Sequence, residues 1–313
     1  MLTTMTACAL RRALVIANPC AGAGRVRALT GDVLAALRQA GADAKLQTTE
    51  EPGHAARLAA RAAADGLDAL VCLGGDGTVN EVVDGVLGAG PWPAGLRLGP
   101  LPLGTGNAFV RDFGLRSGQW REALDRLIAG ATRRIDAAVA RPDSGPARHF
   151  VNVFGSGYMA RVADVTNRRF KALGGSGYTA GVLWELARLA APPTRLTLHG
   201  PDGEATIEAP LAMVAVCNTQ WTGETMWIAP SAAPTDGVLD VITVGNVSRL
   251  ELVRTFPKIF KGTHLEHPLV SAYRATRIRI EPTVDSPLLI DGEVIAQTPV
   301  TVDVLPAALT VAL

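Results

Sequence analysis

Only four cysteines occur in 313 residues, and Cys8, Cys20, Cys72 and Cys217 form no Cys-x-x-Cys pair. That scatter argues against a disulfide framework and against a zinc site, and fits buried thiols in a reducing compartment. Net charge is almost nil. The 30 Lys and Arg against 29 Asp and Glu leave +1, without the strongly basic footprint of a protein that coats nucleic acid. No apolar run approaches the roughly 18 to 20 residues of a membrane span. Met1 to Leu10 is weakly apolar, but Arg11 and Arg12 follow that stretch instead of preceding it, the reverse of a secretory signal. The expectation is a cytoplasmic protein with no nucleic-acid partner, on which any basic membrane-facing patch is local. Two nucleotide motifs are also missing: no Gly-Lys-Ser/Thr marks a Walker A loop, and no Gly-x-Gly-x-x-Gly marks a dinucleotide fingerprint.

What the chain does have is glycine at the ends of apolar runs. The run Leu67 to Leu73 reads as a buried strand. It breaks into Gly74-Gly75-Asp76-Gly77 and then opens a helix whose Val79, Val82, Val83, Val86 and Leu87 share one face. A strand, a glycine turn and a helix start make an anion cradle, because glycines let backbone N–H groups approach phosphate oxygens and the helix start adds partial positive charge. Glycine turns alone are common and usually only structural. The carboxylate within this one is less ordinary, since an acid beside phosphates needs a metal ion or a proton to be tolerated.

The length implies two domains, and 48% hydrophobic residues supply core for both. Arg12 to Ala17 reads as a first strand ending in the loop Asn18-Pro19-Cys20-Ala21-Gly22-Ala23-Gly24-Arg25. A helix near 26–40 and a strand near 44–48 close the first β-α-β unit, and a further helix starts at Pro52 to Ala55. A fourth strand, Leu96 to Leu101, runs into Leu103-Gly104-Thr105-Gly106-Asn107, and a helix follows over Gln119 to Ala129. Strands alternating with helices predict a parallel sheet covered on both faces, with ligands at the carboxyl ends of its strands. The glycine loops fall at those ends, where Thr78, Thr105 and Asn107 are placed to bond phosphate or sugar.

From about Arg134 the pattern changes to short alternating runs: Arg134 to Ala140, His149 to Phe154, Arg195 to His199, Leu211 to Asn218, Leu239 to Val244, Arg277 to Glu281 and Val300 to Leu305. These predict a mostly antiparallel second domain, interrupted by a helix over Tyr178 to Ala190. The last strand, Ala308 to Leu313, fits either domain. Alanine enrichment follows equally from helix propensity and from genome bias.

With these residues in place, the chain resembles the soluble bacterial lipid kinases of the diacylglycerol kinase and sphingosine kinase family. Five blocks carry the likeness in order: Asn18-Pro19 with Gly22 and Gly24, Gly74 to Asn80, Gly104-Thr105-Gly106-Asn107, Ala229-Pro230 followed by Asp236-Gly237-Val238-Leu239-Asp240, and Leu289-Ile290-Asp291-Gly292-Glu293. The resemblance implies an N-terminal three-layer α/β nucleotide-binding domain over 1–132 and a C-terminal β-sandwich-like domain over 133–313, with the active site in the cleft between them. It implies ATP-dependent phosphorylation of a hydroxyl on a lipid such as diacylglycerol, a sphingoid base or phosphatidylglycerol. The nucleotide would be held by Asn18, Thr49, Gly74, Gly75, Asp76, Gly77, Thr78, Val79, Asn80, Gly104, Thr105 and Asn107, and Glu293 would accept the hydroxyl proton. A structural Mg²⁺ would sit at Ala233, Asp236 and Val238, and oxygen-only ligation suits such a hard cation. Asp76 would act through a catalytic Mg²⁺ or orient Glu293. Partners implied are the lipid substrate and a transient membrane surface, and a homodimer stays open.

Three positions depart from the family pattern: Ala21 stands where serine is usual, Ala108 where aspartate is frequent, and Tyr158 where an acid is frequent. They bear on the substrate and on phosphate contacts. Rival readings are an NAD kinase or a phosphofructokinase-like enzyme, which share the Gly-Gly-Asp-Gly core, and a nucleotide-binding regulatory module without catalysis. Taken alone, Glu293 is a surface turn acid, and Asp236 and Asp240 belong to a β-turn. His264 and His267, flanking Glu266, read as a solvent-exposed loop with no third metal ligand. Arg168, Arg169 and Lys171, with Lys258 and Lys261, read either as a solvated face or as an anionic-membrane contact at about 1 kcal/mol each.

Overall fold

The computed structural model describes residues 10–170, 175–201 and 203–313. Cys8 and Lys171 lie outside them. The chain divides into a first unit that runs to Ile135 and takes in Ala307–Leu313, and a second unit, Asp136–Pro306.

In the first unit, strands β1 (Arg12–Ala17), β2 (Asp43–Thr48), β3 (Ala69–Gly74) and β4 (Arg97–Pro102) pair in parallel in the order β2-β1-β3-β4. Every residue of β3 and β4 is buried, as continuous apolar strands covered on both faces must be. Helices α1 (Arg25–Gln39), α2 (His54–Ala62), α3 (Asp76–Ala89), α4 (Ala108–Arg111) and α5 (Trp120–Ala129) make the connections. The alanines of α2 have a packing reason. Ala55, Ala59 and Ala62 are buried, and α3 comes so close that a Cβ on Gly85 would lie 2.1 Å from the Ala56 carbonyl oxygen. Glu81 ties the two helices by accepting the Ala55 N–H at 3.0 Å.

The second unit is a sandwich of antiparallel sheets. Its strands are β5 (Thr132–Pro142), β6 (Arg148–Phe150), β7 (Val153–Gly157), β8 (Pro193–Gly200), β9 (Gly203–Pro210), β10 (Met213–Cys217), the two-residue pair β11 (Trp221–Thr222) and β12 (Met226–Trp227), β13 (Leu239–Val244), β14 (Val270–Ala275), β15 (Arg277–Pro282), β16 (Pro287–Ile290), β17 (Glu293–Gln297) and β18 (Val300–Ala312). One sheet runs β9-β8-β15-β18, with β5 pairing β18 and β6; the other runs β14-β13-β10-β7-β16-β17. Phe150, Phe154, Val214, Val216, Ile278 and Val302 meet in the core between them. β10 is buried on both faces, because its alternate residues Ala215 and Cys217 join a second cluster with Ile228 and Ile242. Among the described residues the unit also holds the α-helices α6 (Tyr158–Val165), α7 (Gly175–Ala187) and α8 (Arg249–Thr255). Among the described residues no helix is long and apolar enough to cross a membrane.

Several boundaries move from expectation. The predicted strand His149–Phe154 is two strands, β6 and β7, broken at Val151 and Asn152. The side chain of Asp291 explains the break, since it takes the N–H groups of Val151 and Val153 at 3.2 and 2.7 Å and removes them from the ladder. The helix expected over Tyr178–Ala190 is α7, shifted to Gly175–Ala187. The runs Val300–Leu305 and Ala308–Leu313 are one element: β18 pairs antiparallel with β15 through Val300–Asp303, and Val311 pairs parallel with Leu98 of β4. α4, α6, α8, β9, β11, β12, β14, β16 and β17 lay outside the sequence expectations.

Candidate active site

Three loops of the first unit converge at the carboxyl ends of β1, β3 and β4. The Asn18 N–H donates to the Leu73 carbonyl at 3.0 Å, and the Leu103 and Gly104 N–H groups both donate to the Gly74 carbonyl, at 3.0 and 2.9 Å. Arg25 reaches across with Nε to the Gly22 carbonyl and a terminal nitrogen to the Gly104 carbonyl, each at 3.0 Å. This crowding needs glycine. A Cβ on Gly104 would lie 2.3 Å from the Gly75 Cα, and one on Gly22, whose φ is +64°, would lie 1.9 Å from the Leu103 carbonyl oxygen. Backbone without side chains thus lines the start of α3, whose N-cap Gly75 supplies no capping side chain. Unsatisfied N–H groups at a helix start are an anion site.

Asp76 holds this arrangement together. Its two carboxylate oxygens accept the N–H groups of Ala108 and Phe109, each at 3.0 Å, clamping the first turn of α3 to the start of α4. Burial pushes its carboxyl pKa up, and the backbone donors oppose that rise. Ala108 contributes its backbone N–H, which does not depend on its side chain. Asn107 is spent inside its own loop. Its Oδ1 accepts the Gly104 N–H at 3.0 Å, and Nδ2 donates to the Gly104 carbonyl at 2.8 Å and to Ser117 Oγ at 2.9 Å. Both amide donors are thus committed to shaping a residue at φ +49°, and none is left for the phosphate or sugar bond expected of this side chain. Thr78 is buried and accepts from Asn18 Nδ2 at 3.4 Å, and Val79 and Asn80 lie on the buried face of α3. Thr105 is exposed. Thr49 follows β2, its N–H bonded to the Ala17 carbonyl at 2.9 Å beside the Asn18 loop.

In the second unit, Asp291 (φ +44°) and Gly292 (φ +94°) form the two-residue turn between β16 and β17, the left-handed pair that a tight hairpin requires. The turn is gripped from below by the Asp291 carboxylate and presents exposed Glu293 as the first residue of β17. Sequence reasoning named Glu293 and missed Asp291. An Asp at a turn position requiring positive φ was the available signal.

The segment Ala233–Val238 offers oxygen donors, as a hard cation needs. The Ala233 carbonyl accepts the N–H groups of Thr235 and Asp236 at 2.7 and 3.3 Å, and Asp236 Oδ1 accepts the Val238 N–H at 3.2 Å. Asp236 Oδ2 forms an ion pair with Arg274. The donors fit Mg²⁺ by type, and a cation placed there would compete with the Arg274 guanidinium for the Asp236 charge. Nearby Asp240 is not part of a turn. It lies in β13, bonds Ser231 Oγ at 2.6 Å, and has its pKa raised by burial.

An apolar cavity of about 160 Å³ opens within the second unit, lined by Met159, Val162, Met213, Met226, Phe256 and Ile259 among others. His264, expected in a solvent-exposed loop, instead lines this cavity and is only 6% exposed. The cause is local: Leu265 packs into the second apolar cluster, and His264 Nε2 bonds the Ile228 carbonyl at 3.0 Å. Among the described residues no three His, Cys, Asp or Glu side chains gather as metal ligands.

Both parts of the chain match known protein families. Residues 12–140 match the diacylglycerol kinase catalytic domain, and 152–313 match the YegS C-terminal NAD kinase beta sandwich-like domain. A diacylglycerol kinase of Mycobacterium tuberculosis H37Rv is 34% identical, covering 95% of this chain and 93% of its own. One from Staphylococcus saprophyticus is 30% identical over 90% and 89% of the two chains. The crystal structure of a diacylglycerol kinase from Bacillus anthracis, 23% identical, superposes over 97% of this chain and 96% of its own with a TM-score of 0.69, and so shares the fold.

Proposed function

This chain belongs to the diacylglycerol kinase family and is an ATP-dependent phosphotransferase with an alcohol acceptor, and from that premise we propose that it transfers the γ-phosphate of ATP to a hydroxyl of a membrane-derived lipid such as diacylglycerol, a sphingoid base or phosphatidylglycerol. The observation that carries this reading is the cavity of the second unit. Its lining is mainly methionine, valine, leucine, isoleucine and phenylalanine and includes no Lys, Arg, Asp or Glu, which suits an acyl chain better than NAD or a sugar phosphate, the substrates of the rival kinases.

In this proposal the triphosphate lies against the start of α3 and the backbone of Gly74, Gly75, Gly77 and Gly104, with Thr49, Thr78 and Thr105 beside it. Asp76 keeps the two loops in register, and Asn18 and Asn107 hold their shapes. Glu293 takes the proton from the lipid hydroxyl as that oxygen bonds the γ-phosphorus and the bond to the bridging oxygen breaks, releasing ADP. Phosphoryl transfer asks the protein mainly to position groups and to remove this one proton. Mg²⁺ accompanying ATP would neutralise phosphate charge. A second, structural Mg²⁺ would be held by Asp236 and the carbonyls of Ala233 and Val238.

Approach to a bilayer is proposed through α8 and the turn after it, where Leu250, Val253, Phe256 and Phe260 are exposed beside Arg249, Arg254, Lys258 and Lys261. Apolar side chains flanked by basic ones suit a peripheral contact with an anionic cytoplasmic leaflet. The test incubates the purified protein with Mg²⁺, γ-labelled ATP and a panel of lipid alcohols in mixed micelles, beside Glu293→Gln. Label in one lipid, lost in the variant, is the expected result. Label in NAD or a sugar phosphate but in no lipid overturns the reading, and ATP binding without any turnover favours the regulatory module.

A further inference from the structure

His264 has one nitrogen engaged and one without a partner. The Ile228 carbonyl can only accept, so Nε2 carries the ring proton and Nδ1 is left as a bare acceptor. Nδ1 is fully buried and meets no hydrogen-bond donor, on a residue that lines the apolar cavity. Burial lowers the pKa of the ring and keeps it neutral, which preserves that acceptor. Of the two tyrosines that line the same cavity, Tyr158 and Tyr178, the first donates its hydroxyl to the Val182 carbonyl at 3.0 Å.

The ring is also held in place. His264 sits in the tight turn Thr263–Glu266, after Gly262 at φ +71°. A Cβ on Gly262 would lie 2.8 Å from Pro230 and 3.0 Å from the Trp227 ring, so this turn is packed against its neighbours. The acceptor is therefore preorganised, and a buried acceptor without a partner is a rare and costly feature.

We propose that the cavity selects a lipid chain bearing a hydroxyl within its apolar part, and that this hydroxyl donates to Nδ1 of His264. The proposal rests on the reading of the protein as a lipid kinase and names the substrate class more closely. A plain hydrocarbon tail leaves the already buried Nδ1 unpaired, whereas a hydroxylated tail pairs it. Sites built to bond a ligand hydroxyl discriminate against the analogue lacking it far more strongly than apolar pockets discriminate by size. His264 is a specificity residue here and takes no part in the proton transfer.

The test measures equilibrium binding to the full chain by displacement of a fluorescent fatty acid, using stearate and a series of hydroxystearates with the hydroxyl stepped along the chain. Wild type is expected to bind at least one isomer roughly tenfold more tightly than stearate. His264→Phe should lose that advantage while keeping its affinity for stearate. His264→Asn, which returns an acceptor near the place of Nδ1, should recover part of it, and serves if the Phe variant does not fold. The inference is overturned if no isomer outbinds stearate in wild type, if neither acid displaces the probe, or if the advantage survives in His264→Phe. A parallel assay with labelled ATP and the matching acylglycerols reports on the kinase reading separately, since binding selectivity does not depend on turnover.

Discussion

Replacing Gly104 by alanine tests whether the glycine loops of the first unit form the nucleotide cradle. The added Cβ would start 2.3 Å from the Gly75 Cα and 2.8 Å from the Gly75 nitrogen. Carbon atoms rest at about 3.5–4.0 Å, so the two loops must part by more than about 1 Å. Both contacts are to backbone, and no side chain can rotate away. The separation strains the bonds from the Leu103 and Gly104 N–H groups to the Gly74 carbonyl, each contributing about 1 kcal/mol, and leaves that buried carbonyl without partners, for a total cost of about 2–4 kcal/mol. A 1 Å displacement of groups that position a substrate costs on the order of a hundredfold in turnover. Denaturant unfolding measures the first quantity, and ATP titration with steady-state kinetics measures the second. Gly88→Ala is the control: it lies in α3, away from the loops, with open space around its Cβ position, and should gain about 0.5–1 kcal/mol from helix propensity with unchanged ATP affinity. A Gly104→Ala protein that matches wild type in stability and in ATP affinity would refute the cradle.

Glu293→Gln should lower kcat by about 10²–10⁴ while leaving stability within about 0.5 kcal/mol, because the residue is exposed in a turn held by Asp291; a variant that keeps its rate removes Glu293 from the mechanism. Arg274→Ala frees the Asp236 carboxylate from its ion pair, so Mg²⁺ without nucleotide should raise the Tm of the variant by more than that of wild type. Equal shifts would mean that the arginine and a cation do not compete for this carboxylate. His264 has its pKa lowered from 6.5 by burial. Between the lowered value and 6.5 the unfolded chain binds a proton that the folded chain does not, so stability falls with decreasing pH there, by up to about 1.4 kcal/mol per pH unit. Chemical denaturation of wild type and His264→Phe between pH 7 and 5 should show that slope shrinking in the variant, and parallel profiles would show that the ring is protonated equally in both states.

Much of the first unit is legible in the chain because its determinants are local. Apolar runs of strand length, helical stripes such as Val79, Val82, Val83 and Val86, and glycines at strand ends each depend on a few consecutive residues. The same holds for the turn that presents Glu293, where Asp-Gly satisfies two left-handed positions without help from elsewhere. Hydrophobic period states which face is buried and not what covers it. Residues joined across the fold therefore escape it: Asp291 splits the expected strand His149–Phe154 from 138 and 140 positions away, and Asp76 finds its donors 32 and 33 positions on. The alternation of β18 marks a strand, but pairing with β15 at one end and β4 at the other assigns it. The sequence alone thus determined the alternation of strands and helices in the first unit, the glycines at its strand ends and the Asp-Gly turn before Glu293, all written in short-range conformational preference. Tertiary structure decided that Asn107 spends its amide within its loop, that Arg274 faces Asp236, and that His264 lines an apolar cavity with one ring nitrogen buried and unpartnered, because hydrogen-bond partners are chosen by proximity that only the folded chain creates.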